Sequence, residues 1–418
     1  MSALQLVGLV ITLVAVFGYL NQRFVKLPDT IGITAIGVVV SLAAVILASF
    51  DTAISAAVKA TAAGIDFPDL LLHGVLGMLL FAASLQIRLA DIAKEKWLIL
   101  FLATCGVLLS TAIVGGLFYL ATAWLGLGIS LLHCLLFGAL VSPTDPVAVL
   151  AILKRVGVPK SLEMRIAGES LFNDGTGVVV FLTLLEISTG TGSASAGSTA
   201  LLFATEVLGG TAFGLVAGYA AFLMMRQIDS YPVEIMITLA LATGGYALAE
   251  AAHLSAPIAV VLMGLIVGNR GRREAMSDET QDRLFNFWEI VDELLNLLLF
   301  GLIGLEMIVL TFSGGQAAAA ALGIVIVLAA RLVSVGVPLL AAPRLRHFRK
   351  AAIVVMTWGG LRGGISIALA LSLPDLPGRE TLVSTTYSIV IFSILVQALT
   401  LQRVAARVLS ASPQASPQ

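Results

Sequence analysis

Apolar runs about as long as a membrane is thick recur along this chain, and no other feature limits its possible folds so severely. Inside hydrocarbon every backbone N–H and C=O must find a partner within the protein, so a repeatedly crossing chain is a helix bundle or a closed barrel. A helical crossing needs roughly 20 apolar residues, whereas a barrel strand is a short stretch of alternating character. The runs here are long and do not alternate, which predicts an all-α polytopic membrane protein. Thirteen transmembrane helices are predicted, near 3–20, 31–50, 69–87, 97–123, 127–153, 161–187, 199–225, 231–251, 255–269, 284–311, 316–342, 350–373 and 382–402. Composition agrees: of 418 residues 59% are hydrophobic and 12% charged, with mean hydropathy +1.03, far too little polar surface for a soluble chain of this length. The first 20 residues lack the basic start of a signal peptide and read as the first span. A single transmembrane domain is expected over 1–409, with a Ser/Gly-rich flexible loop at Ser188–Thr199 and a short disordered tail at 410–418.

Orientation follows from the basic residues. If the N-terminus lies outside and the loops alternate, 20 of the 24 lysines and arginines fall in loops on the inner side. Miscounting the spans by one near the middle would scramble that separation, so a cell-membrane protein with a cytoplasmic C-terminus is expected. The net charge of −1 gives no support to a nucleic-acid partner. Cys105 and Cys134 both sit in apolar runs and the four histidines are scattered, so neither a disulfide framework nor a resident cofactor is expected. Leu79–Ile87 (LLFAASLQI) echoes Leu298–Met307 (LLFGLIGLEM), and the fifth and twelfth spans are both interrupted by Pro or Gly at mid-length. Both pairs are seven spans apart. An odd offset turns one half upside down relative to the other, the inverted-repeat plan of many secondary transporters.

Charges near the middle of apolar spans are costly and by default mark a functional site. Three stretches qualify: Ser142-Pro143-Thr144-Asp145-Pro146, Gly168-Glu169-Ser170-Leu171-Phe172-Asn173-Asp174-Gly175, and Trp358-Gly359-Gly360-Leu361-Arg362-Gly363-Gly364. All lie about halfway along their spans and should meet near one depth. The two prolines remove backbone donors, and Pro146 pushes Asp145 toward an extended backbone. A break is predicted there, with Thr144 and Asp145 facing a cavity. The glycine pairs around Arg362 suggest a second break or a close crossing. Ser170 and Asp174, four apart, share one helical stripe, while Glu169 and Asn173 share the next. Asp174 is therefore assigned as the exchanging carboxylate, with Asp145, Ser170 and Thr144 as further oxygen ligands for Na⁺, which favours hard oxygen donors. Glu169 is expected to pair with Arg362, and Asn173 to hold the broken backbone. Arg331 is left between an ion pair with Glu306 and a place at its span end. An ordinary aspartate, with a pKa of about 3.9, exchanges no protons near neutrality. Burial beside Asp145 disfavours the bare anion through both desolvation and like charge. A proton or a cation then neutralises Asp174, but not both. Glu289, Asp292 and Glu293 fit either a solvated helix end or a funnel that draws cations inward.

The stretches SPTDPVAVLAIL (142–153), GESLFNDGTGVVVF (168–181), FWEIVDELLNLLLFGLIGLE (287–306) and WGGLRGGISIALALSLP (358–374) resemble the cation:proton antiporter-1 family, in the right order along nearly the whole chain. That resemblance implies the Na⁺/H⁺ antiporter fold and a homodimer. A mobile core bundle that includes 69–187 and 284–402 would move against a dimerisation part built from the remaining helices. It implies cation and proton binding at Asp174, support from Thr144 and Asp145, a ligand role for Ser170 and a Glu169–Arg362 pair. Asn before the aspartate is the family's pattern for electroneutral one-for-one exchange. Where relatives often read Gly-Leu-Glu in the third helix, this chain reads Ser84-Leu85-Gln86. The long regulatory tail of the animal exchangers is missing, which favours a simple bacterial-type antiporter. A sodium-coupled symporter shares the architecture but needs groups for an organic solute. A channel needs a repeated filter loop, and an intramembrane aspartyl protease, the enzyme alternative, needs a Gly-x-Gly-Asp motif that the chain lacks.

Overall fold

A computed structural model describes residues 3–50, 74–93, 95–190, 196–306, 314–341 and 349–410. Among these residues the principal elements are all helical. They are α1 (Ala3–Leu20), α2 (Asp29–Phe50), α3 (Leu76–Gln86), α4 (Lys96–Trp124), α5 (Leu131–Leu140), α6 (Val147–Val156), α7 (Lys160–Thr189) and α8 (Ala196–Met225). The second half comprises α9 (Tyr231–Ala251), α10 (Ala256–Ile266), α11 (Asp278–Glu306), α12 (Gly314–Ala341), α13 (Arg349–Trp358), α14 (Gly364–Leu371) and α15 (Arg379–Ser410). Eight stretches among the described residues are long and apolar enough to cross a membrane. The other spans expected from the sequence are the two that break, the short α3 and α10, and α11, whose acidic first half lowers its hydropathy.

Local chemistry sets many boundaries. Ser130 caps α5, its Oγ accepting from the His133 amide at 3.2 Å, and Ser277 caps α11 in the same way through Thr280 N–H at 3.4 Å. Gly157, at φ +73°, ends α6 in the left-handed conformation that glycine adopts without strain. The loop predicted at Ser188–Thr199 is shorter at both ends, because α7 runs to Thr189 and α8 begins at Ala196. The tail at 411–418 and the start of the third expected span, 69–73, lie outside the described residues.

The helices pack into two apolar clusters. One gathers α1, α2, α5, α6 and α12–α15; the other gathers α3, α8, α9 and α10; α4 and α7 contribute to both, with Ile99 and Leu171 in the second. Helix α11 belongs to both, through Leu284 and Trp288 in the second and Leu299, Phe300 and Ile303 in the first. In lipid, helix association depends on close packing and interhelical hydrogen bonds rather than on escape from water. Both occur here. Gly210 and Gly214 of α8 lie against Ser255 and Ala259 at the start of α10, where a Cβ would fall 2.6 Å and 2.5 Å from their carbonyl oxygens. On α2, Thr34 donates to Phe300 O at 3.0 Å and Ser41 to Gly304 O at 2.7 Å, tying α2 to α11. Asn269, just past α10, joins that helix to the end of α3: its Nδ2 donates to Ile87 O and its Oδ1 accepts from Leu89 N–H, both at 2.8 Å. Helix α11 is thus anchored to one cluster while it faces the other. A cavity of about 430 Å³ lies along that seam.

Candidate functional site

The two expected breaks are present and they touch. Residues 141–146 separate α5 from α6, and residues 359–363 separate α13 from α14. Where the stretches meet, the Asp145 amide donates to Leu361 O at 2.9 Å. Arg362 Nη1 donates to Ser142 O and Pro143 O, each at 2.8 Å. A guanidinium at the end of α5 thereby satisfies carbonyls that the helix has left orphaned, and it complements the negative end of the helix dipole. The second break has its own fastenings on α15. Ser393 Oγ accepts from Arg362 N–H at 3.1 Å and donates to Arg362 O at 3.0 Å, and Gln397 donates to Trp358 O at 2.9 Å.

Helix α7 passes beside this crossing. Asn173 clamps Thr144 from two sides, accepting from its amide at 3.3 Å and donating Nδ2 to its Oγ1 at 2.8 Å. Ser170 Oγ lies 3.1 Å from Thr144 Oγ1. The Pro143 ring packs on Gly177, where a side chain would collide with it. Asp145 faces two ways: Oδ1 accepts from the Val147 amide at 2.9 Å, capping α6, and Oδ2 lies against Gly363. A carboxylate at a helix start is stabilised by the dipole, so Asp145 has a structural duty alongside any chemical one. Asp174 has none of this support. It is 9% exposed, it lines the cavity, and no hydrogen bond reaches its carboxylate among the described residues. Four oxygen-bearing side chains, Asp174, Asp145, Thr144 and Ser170, therefore gather where the breaks cross.

One expected contact is corrected. Glu169, 1% exposed, pairs with Arg331 of α12 rather than with Arg362: Nη1 donates to Oε1, and Nη2 donates to Oε2 at 3.0 Å. The reason lies in competition for the guanidinium. Arg362 is engaged by the Ser142 and Pro143 carbonyls, while Arg331 reaches Glu169 by passing over Gly360, where any Cβ would strike its shaft. Arg331 also donates Nε to Met356 O at 3.3 Å, near the end of α13. Arg331, left open in the sequence, thus serves as the partner of Glu169; the Glu306 side chain lies outside the described residues. Sequence reasoning also missed Ser393 and Gln397, which sit in an ordinary-looking apolar span. Spacing along one helix carries no information about which other helix supplies a partner.

The contact between Gly363 and Asp145 has a consequence that mutation can reach. Gly363→Ala is expected to push the Asp145 carboxylate off its present position, since the new Cβ overlaps it. Overpacking of this kind costs about 1–3 kcal/mol. Transport should fall several-fold while expression and melting temperature change modestly, as read by vesicle flux and by thermal unfolding in detergent.

Residues 10–407 match the profile of the family described as "Sodium/hydrogen exchanger, transmembrane". The chain is 48% identical to the Na(+)/H(+) antiporter NhaP of Pseudomonas aeruginosa, with 98% of each sequence covered. It is 34% identical to the Na(+)/H(+) antiporter NhaH of Halobacillus aidingensis, over 96% of each. In fold it is similar to the sodium proton antiporter MjNhaP1 from Methanocaldococcus jannaschii, solved by electron microscopy. The TM-score is 0.76 at 18% identity, and each chain is covered completely. A structure of the same protein at pH 8 gives a TM-score of 0.72 at 17% identity, covering 98% of this chain and 100% of that one.

Proposed function

The chain belongs to the sodium/hydrogen exchanger family, and from that premise we propose that it exchanges Na⁺ for H⁺ across the membrane by competition at Asp174. Li⁺ and K⁺ are the other candidate cations. The observation that carries this reading is the state of Asp174 itself, a nine-tenths buried carboxylate on a cavity of about 430 Å³ with no hydrogen bond among the described residues. An ionised group so placed needs a counter-charge, because moving an isolated carboxylate out of water carries a large desolvation cost. A bound proton supplies neutrality, and so does Na⁺ held by Asp174 with Asp145 Oδ2, Thr144 Oγ1 and Ser170 Oγ. The two ligands exclude each other. If only the neutral site crosses between inward- and outward-facing states, each cation moved one way is matched by a proton moved the other way, and exchange is electroneutral.

Lys154 and Glu163 line the cavity, and Arg270, Arg272 and Arg273 lie in the helical turns that follow α10. Placing these basic residues on the cytoplasmic side puts the N-terminus outside and the C-terminus in the cytoplasm of a cell whose inner membrane holds the protein. Dimerisation, through helices outside 69–187 and 284–402, is supported by the family resemblance. Nothing among the relatives favours the symporter. Native protein in proteoliposomes with an imposed Na⁺ gradient tests the proposal. Acidification or alkalinisation that follows the gradient, without membrane-potential dependence, supports it. A flat trace with Na⁺, Li⁺ and K⁺ alike sinks it.

A further inference from the structure

Helix α11 presents Glu289, Asp292, Glu293 and Asn296 to the same cavity. Their spacing of three, four and seven residues gathers them on one stripe of the helix. Six carboxylates line the cavity against the single ammonium of Lys154, among the described residues: Asp145 at the first break, Glu163 and Asp174 on α7, and three on α11. Glu289 and Glu293 are exposed and fit a solvated helix end. Asp292 does not. It is half-buried, and Asn296, 4% exposed, donates Nδ2 both to Asp292 O at 2.8 Å and to Asp292 Oδ1 at 3.1 Å. That clamp holds the side chain in one orientation and leaves Oδ2 without a hydrogen bond among the described residues. Asp145, at the first break, lines the same cavity as Asp292. The stripe also leads toward an unsatisfied group, since Asp174 lines the same space, nine-tenths buried and unbonded.

A cavity of about 430 Å³ has room for on the order of ten waters. A cation therefore nears the aspartates with much of its hydration shell still attached. We propose that Asp292, oriented by Asn296, is a second cation-binding residue of the transport path, which takes a partly hydrated monovalent cation before it reaches Asp174. The proposal rests on the exchange reading above and adds a step to it. Asp292 replaces part of the water shell and holds the ion close to the crossing. Loss of that step weakens capture of the cation without removing the group that exchanges it.

Asp292→Asn keeps the shape and the Asn296 contact but loses the charge. Its apparent KM for Na⁺ should rise by about tenfold while turnover at saturating Na⁺ stays within about twofold, the signature of lost binding rather than lost chemistry. Asp292→Glu should recover most of the native KM. An unchanged KM overturns the proposal and leaves the stripe as a solvated helix end. Complete loss of exchange at saturating Na⁺ in a folded variant also overturns it, by making Asp292 part of the exchanging group. Calorimetric titration of Na⁺ into detergent-solubilised native and Asp292→Asn protein separates this idea from the exchange reading. Weaker binding by the variant supports an Asp292 site even if vesicles show no antiport, and equal affinities overturn it even if they do.

Discussion

Asp174→Ala and Asp174→Asn are expected to reduce Na⁺-driven proton movement in proteoliposomes to the level of empty vesicles, with the protein still folded. Alanine removes the group altogether. Asparagine is the sharper test, because it preserves volume and polarity and changes only the ability to hold a proton or balance a cation. With a permanently neutral side chain the site has nothing for the two ligands to compete over, so coupling disappears. Stability should suffer little, since no hydrogen bond to the Asp174 carboxylate exists among the described residues to be broken. Removing an unpartnered buried charge relieves a desolvation cost rather than creating one. Asp145→Asn makes the useful contrast. Asparagine caps a helix about as well as aspartate, so α6 should keep its start while the cation loses a charged ligand, and exchange should weaken without vanishing. Full exchange by Asp174→Asn would place the transported proton elsewhere.

The largest effect on stability is expected at Arg331. Arg331→Met strands the Glu169 carboxylate, 1% exposed, with no cation against it and also removes the bond to Met356 O. Breaking a buried pair from one side costs about 3–5 kcal/mol. In a detergent-solubilised transporter that difference should appear as a large drop in melting temperature and a poor yield of monodisperse protein. Replacing both partners, Glu169→Met with Arg331→Met, should recover much of the loss, because a buried pair exchanged for apolar groups of similar volume is often neutral or better. The recovery defines the coupling, and thermal unfolding of the four proteins measures it as a cycle. If Arg331→Met melts like the native protein, the pair contributes nothing. If Arg362→Met instead couples to Glu169 in the same cycle, the pairing expected from the sequence is the one that governs the folded protein.

Much of this molecule was legible before any coordinates. The helical class follows from solvent: hydrocarbon offers backbone groups no partners, so a run of about 20 apolar residues has one way to cross. The break at 141–146 is legible because proline removes a donor within its own residue and restricts the residue before it. The two stripes of α7 are legible because a fixed 3.6-residue turn determines which of Glu169, Ser170, Asn173 and Asp174 share a face. Each of these is a property of a short stretch of chain.

The tertiary structure alone decided who meets whom across helices. Two buried arginines, Arg331 and Arg362, were both available to Glu169. The choice fell to α12 because Arg362 has carbonyls of the broken helix within reach and Gly360 leaves a passage for Arg331. The same holds for Asp292, whose acidic stripe reads equally as a solvated helix end until α11 is seen to line the cavity that holds Asp174. Periodicity and backbone chemistry act within a few residues and are written locally. Pairing depends on the depth, rotation and spacing of helices that are far apart in sequence, and only packing sets those.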